Sequence, residues 1–151
     1  MIGIVLTRPW YVDSSVVLRI AKEGSPAARG WFDTALAAGE VFVASHLMRV
    51  EVLRVLANNN LDAAGAIDVI SRFILLSLDD ELADEAVAIK ASLGSADALH
   101  VASALRVGAD AISVVTHDAQ MATAAKALGF QVFDPVMDDP RRPAVTVPSG
   151  S

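Results

Sequence analysis

The stretch AISVVTHDAQMATAAKALGFQVFDP, residues 111–135, decides the fold. It reads as an apolar run over 111–115, an acid at Asp118, a helical span over 119–128, a closing Gly129 and a second apolar run over 131–133. Two short strands separated by a whole helix cannot form a tight hairpin. They are parallel neighbours joined by a crossover, and the connecting helix must lie on the sheet.

The same alternation extends back to the start. Residues 10–13 form a short apolar run, and Ser14-Ser15 open a helix over 14–22. Gly24-Ser25-Pro26 is a stop and restart: Ser25 caps and Pro26 takes the first position of a helix over 27–38, closed by Gly39. A strand over 41–44 follows, then a helix over 46–57 capped by Ser45 and broken by Asn58-Asn59-Asn60. A helix over 62–73 merges into a third strand over 74–78, and Asp79-Asp80 start a helix reaching about residue 92. After Gly94, Ser95 caps a helix over 96–107 that stops at Gly108. The expected architecture is α/β, with a parallel sheet covered by helices on both faces. The expected divisions are an N-terminal extension over 1–9, one folded body over 10–135, and a loose Pro- and Arg-containing tail over 136–151.

With 151 residues, 54% of them hydrophobic, the chain is large enough to bury a core without staples. The absence of cysteine excludes disulfides, thiolate zinc sites and a cysteine nucleophile, and agrees with a reducing cytoplasm. No apolar run approaches the ~18 residues of a membrane span. The net charge of −6 is opposite to that of a non-specific duplex-DNA binder. Any nucleic-acid substrate must be drawn by local basic residues such as Arg19, Lys22, Arg49 and Arg54, by metal, or by a second subunit.

Four acids stand at distant places: Asp13 after the first strand, Glu51 in the helix after the second, Asp97 early in the helix before the fourth, and Asp118 after the fourth. In an open parallel sheet the ends of strands one, two and four converge where the strand order reverses. Carboxylates gathered there repel unless a cation joins them. A hard divalent ion suits such oxygens and points to phosphoryl chemistry. Each acid also has a plainer reading. Asp13 and Asp118 are good helix N-caps, Asp97 suits a first helical turn, and Glu51 could pair with Arg54 at i+3. His46, His100 and His117 do not have the spacing of a metal triad. His100 lies one turn beyond Asp97, as a packed imidazole or a contact of the site, and His117 in an extended stretch points away from Asp118.

At these residues the sequence resembles the PIN-domain ribonucleases, in particular the VapC-type toxins of toxin–antitoxin modules. YVDSSVVLRI with Asp13, SADALHVASAL with Asp97 and His100, and VVTHDAQMATAAKALGFQVFDP with Asp118 carry the likeness. VASHLMRVEVLRVL carries the second acid, assigned to Glu51 by its position between strand and helix. The resemblance implies a three-layer α/β/α fold with a five-stranded parallel sheet in the order 3-2-1-4-5. It implies RNA cleavage dependent on Mg2+ or Mn2+, homodimers, and a cognate antitoxin whose basic segment occupies the acidic groove. Asp13, Asp118, Asp97 and Glu51 would be the catalytic and metal-holding acids, with Ser15 and Thr116 orienting them. An idle partner-binding relative is one alternative. A receiver-like module is another, but it wants a lysine where Phe133-Asp134-Pro135 stand. A haloacid-type phosphatase wants an acid where Ser15 stands.

Overall fold

The computed structural model describes residues 8–22, 25–90 and 92–138. Most of the expected N-terminal extension, and the tail beyond Asp138, lie outside these residues. The first half runs β1 Trp10–Val12, α1 Ser14–Ala21, α2 Pro26–Ala37, β2 Phe42–Ser45, α3 His46–Asn58, α4 Ala64–Ile70 and β3 Phe73–Leu76. The second half runs α5 Asp80–Val87, α6 Ser95–Val107, β4 Ser113–Val115, α7 Ala119–Ala127 and β5 Gln131–Phe133.

The five strands are parallel, in the order β3-β2-β1-β4-β5. The order reverses beside β1, so the crevice between β1 and β4 is the place such sheets offer a ligand. The register sets Val12 opposite Val115, and the Asp13 amide extends the ladder by donating to the Val115 carbonyl at 2.9 Å. Asp13 and Thr116 therefore leave neighbouring strands at the same level.

Side chains alternate across the sheet with the period of two that extended backbone imposes. Val12, Phe42, Ala44 and Val115 face a core built with Val16, Val17 and Ile20 of α1, Phe32 of α2, Met48 and Val52 of α3 and Val69 of α4. Their neighbours Tyr11, Val43 and Val114 face the opposite way, onto Ala104 of α6, Ala125 of α7 and Phe130. Both faces are thus dry, which is why the strands are apolar at almost every position. No helix among the described residues is long and apolar enough to cross a membrane.

Several element boundaries differ from the sequence reading. The helix expected over 62–73 is only α4, and Phe73 opens β3. Asp62 turns the chain by accepting from the Ala64 amide at 3.0 Å, and the Phe73 ring stacks on Phe32 and tilts against Phe42. That aromatic packing places Phe73 in the sheet. Helix α5 stops at Val87, short of residue 92, because Ala86 is its last buried side chain and Val87 is 87% exposed. Ser95 is the first helical residue of α6, with Gly94 in the cap position, and Ser45 makes no side-chain capping bond to α3. Strand β4 begins at Ser113 rather than 111, after a turn in which the Ala111 amide donates to the Gly108 carbonyl. Ser25 caps α2 as expected, accepting from the Ala28 amide.

Candidate active site

Asp13 ends β1 at the switch point and is 5% exposed. It stands in the N-cap position of α1 but makes no side-chain capping bond, so the plain capping reading fails. Its Oδ2 accepts instead from Ser15 Oγ at 2.9 Å and from Thr116 Oγ1 at 3.0 Å. Thr116 Oγ1 in turn accepts from the Asp118 amide at 3.0 Å, so one hydroxyl links the ends of β1 and β4. Asp118 does cap α7: its Oδ1 accepts from the Met121 amide at 2.9 Å. The residue is nevertheless exposed, and Oδ2 carries no hydrogen bond among the described residues.

Glu51 does not pair with Arg54. Its Oε1 accepts from Ser14 Oγ at 2.7 Å and from His100 Nε2 at 2.5 Å. A carboxylate only accepts, so the ring proton sits on Nε2, and Nδ1 can accept from the Tyr11 hydroxyl at 3.3 Å. Burial pushes the Tyr11 phenol up to about 12, which keeps it a donor. Burial also works to raise the Glu51 carboxyl, but the bonds from His100 and Ser14 outweigh it and hold that group below its ordinary range. His100 is 1% exposed. It is therefore both a packed imidazole and a contact of the site.

Asp97 lies in the first turn of α6, partly buried. Its carboxyl is pushed up, first by burial, then by the charges of Asp13 and Asp118, with a smaller push from Glu51 and a counter-pull from His100. The charges of Asp13, Asp118 and Glu51 all reach Asp97.

The donor chemistry of these residues bears on whether they suit a divalent ion. Asp13, Glu51 and Asp118 are each anchored through one oxygen, leaving the other without a hydrogen bond among the described residues. Among those residues, Asp13, Asp97 and Asp118 take part in no ion pair. Equally, no three acidic or imidazole groups among the described residues are gathered closely enough to enclose one ion. The set therefore fits a cation that takes one or two carboxylates directly and meets the rest through water, as Mg2+ commonly does. The sequence reading gives Ser14 only the role of opening α1 and gives Tyr11 none. The adjacency of Ser14 to Asp13 was a signal for one, whereas nothing local marks Tyr11. His117 is held by Asp134 just beyond β5, at 2.7 Å. Arg19, Lys22, Arg49 and Arg54 are all exposed.

Residues 10–127 match the PIN domain family. The chain belongs to the PIN-domain family. This PIN domain is 33% identical over 129 residues to Ribonuclease VapC46 of Mycobacterium tuberculosis, a match covering 83% of this chain and 96% of that protein. It is a PIN domain of the VapC type. Its fold is similar to that in VapBC2 from Rickettsia felis bound to a DNA fragment from its promoter, with a TM-score of 0.63 at 10% identity over 83% of this chain and 97% of that one. It is similar also to FitAcB from Neisseria gonorrhoeae, with a TM-score of 0.57 at 18% identity over the same shares of the two chains. At those identities the two structures speak for the fold alone. The PIN-domain match begins at Trp10, the first residue of β1.

Proposed function

We propose that this PIN-domain protein is the toxin of a type II toxin–antitoxin pair, an endoribonuclease that uses Mg2+ or Mn2+. The observation that carries the reading is the hydrogen-bond link from Asp13 through the Thr116 hydroxyl to Asp118 at the ends of β1 and β4, in a chain one-third identical to a ribonuclease over most of its length.

Asp13 and Asp118 would hold the ion through the oxygens that their anchoring bonds leave free, with Asp97 and Glu51 supplying further negative charge or positioning water. A divalent ion so bound neutralises charge building on the scissile phosphate and acidifies water for attack on it. The protein's part is to keep the acids in place. Thr116 fixes Asp13 relative to Asp118, Ser15 fixes Asp13 from its own helix, and Ser14 with His100 fixes Glu51. No Ser, Cys or His nucleophile is needed when water attacks. Exposed Arg19, Lys22, Arg49 and Arg54 are the candidates for gripping RNA phosphates.

A cognate antitoxin with a basic segment suits a rim where Asp13, Asp97 and Asp118 take part in no ion pair among the described residues. A homodimer and a cytoplasmic address belong to the same proposal. The test is direct. Protein freed of its partner should cut structured RNA with Mg2+ or Mn2+ and stop with EDTA. As Asp13→Ala or Asp97→Ala it should lose on the order of 100-fold or more in rate, the scale at which removal of transition-state stabilisation is read. Alanine variants that cut as fast as wild type would show the site assignment to be wrong.

A further inference from the structure

We propose that His100 is a positioning residue for the metal centre: together with Ser14 it grips Glu51 by Oε1, so that Oε2 is the one oxygen Glu51 can offer to the ion or its waters. The inference rests on the nuclease reading above and adds to it the device that orients the second acid.

The geometry is lopsided in a telling way. His100 is 1% exposed, whereas the Glu51 side chain is 34% exposed. The ring is held from behind, with Nδ1 facing the Tyr11 hydroxyl of β1 and the ring edge packed against Tyr11 at a centroid distance of 6.4 Å. A ring so enclosed cannot follow a partly exposed glutamate. The glutamate follows the ring. Glu51 has three rotatable side-chain bonds and sits on α3, whose apolar stripe is Met48, Val52 and Leu56. Nothing on its own helix directs its carboxylate. Two donors from two other helices, Ser14 of α1 and His100 of α6, meet on the same oxygen.

His100 also lies three residues after Asp97, so the two are neighbours on one face of α6. The helix that carries one acid thereby carries the holder of another.

The test uses the full chain and Mn2+ itself as probe. Mn2+ uptake is followed by the electron paramagnetic resonance of the free ion, beside RNA cleavage and thermal melting. His100→Phe keeps the bulk but removes the donor, and should weaken Mn2+ binding on the order of 10–100-fold, the usual effect of losing a group that orients a metal ligand. The KM for RNA should stay unchanged. His100→Gln can place an N–H near the position of Nε2 and should restore most of the affinity. Ser14→Ala costs no packing and should weaken binding in the same direction, so it decides the matter if His100→Phe does not fold. Unchanged Mn2+ affinity in both His100→Phe and Ser14→Ala overturns the role of His100, as does a His100→Gln variant no better than His100→Phe. Wild-type protein that takes up no Mn2+ overturns the nuclease reading, and this inference with it.

Discussion

Asp97 is the residue at which the electrostatics of the site can be read without RNA. Its carboxyl is raised by burial and by the neighbouring acids, so the folded chain holds that proton to a higher pH than the unfolded chain does. Where the native state binds more protons than the unfolded one, stability falls as pH rises. For this group the loss begins at its ordinary value and is complete above its raised one. Above that raised value the ionised Asp97 is thus a liability of the metal-free protein. Asp97→Asn should raise the melting temperature there, by roughly 2–4 °C for each kcal/mol of repulsion removed. It should also abolish the further rise that Mn2+ gives the wild type. Melting curves across pH with and without Mn2+ check this; a destabilised metal-free Asp97→Asn protein would contradict it. Glu51 runs the other way. Its carboxyl is held low by His100 and Ser14 against the opposing pull of burial, so its contribution is present above its ordinary value and lost as pH falls.

At the scale of elements, the question is whether an acid belongs to a helix or to a site, and α7 poses it most sharply. Asp118 caps α7, so its loss as alanine mixes two effects. Asparagine caps as well as aspartate, and replacing a cap by alanine costs about 1 kcal/mol. Asp118→Asn should therefore melt close to wild type and still lose cleavage, whereas Asp118→Ala should lose both. Denaturant unfolding beside the cleavage assay separates the two, and an active Asp118→Asn enzyme would leave Asp118 only its capping role. The same scale shows what was legible in the chain. The segment 111–135 gave away β4, α7 and β5 because a strand, a capped helix, a glycine and a strand follow in unbroken order. The α4–β3 junction did not, since only Ser71 and Arg72 separate the apolar Val69-Ile70 from Phe73-Ile74-Leu75, with no Gly or Pro to mark the break. Only the rings of Phe32 and Phe42, more than thirty positions away, decide that Phe73 is extended.

For the molecule as a whole, the sheet order brings Asp13 and Asp118 together through a hydroxyl, as the switch-point rule anticipates. What local patterns could not disclose is the partner of Glu51. Arg54 is three residues away on the same helix, but the contact goes to His100, 49 positions on, because α6 crosses behind the strands. A long-range contact of that kind leaves no periodic trace. The core that holds these parts in register is concentrated on aromatic rings. Phe42 is 1% exposed and lies 4.8 Å from Phe32, 5.5 Å from Phe73 and 5.8 Å from Trp31 by ring centres. Phe42→Ala should cost about 3–5 kcal/mol, a large part of the ~5–15 kcal/mol typical of a domain. Denaturant titration measures it, and a loss below ~1 kcal/mol would mean that the cluster repacks freely.

The same aromatic group has a practical consequence. The chain contains two tryptophans, and they meet edge to face at 5.5 Å, both against Phe133 of β5. Trp10 is three residues before Asp13, on the strand that leads into the candidate site. The protein thus carries a built-in optical probe beside its chemistry. Ultraviolet emission from this pair would follow occupancy of the rim by a cation or a basic peptide, with no dye attached and no residue altered.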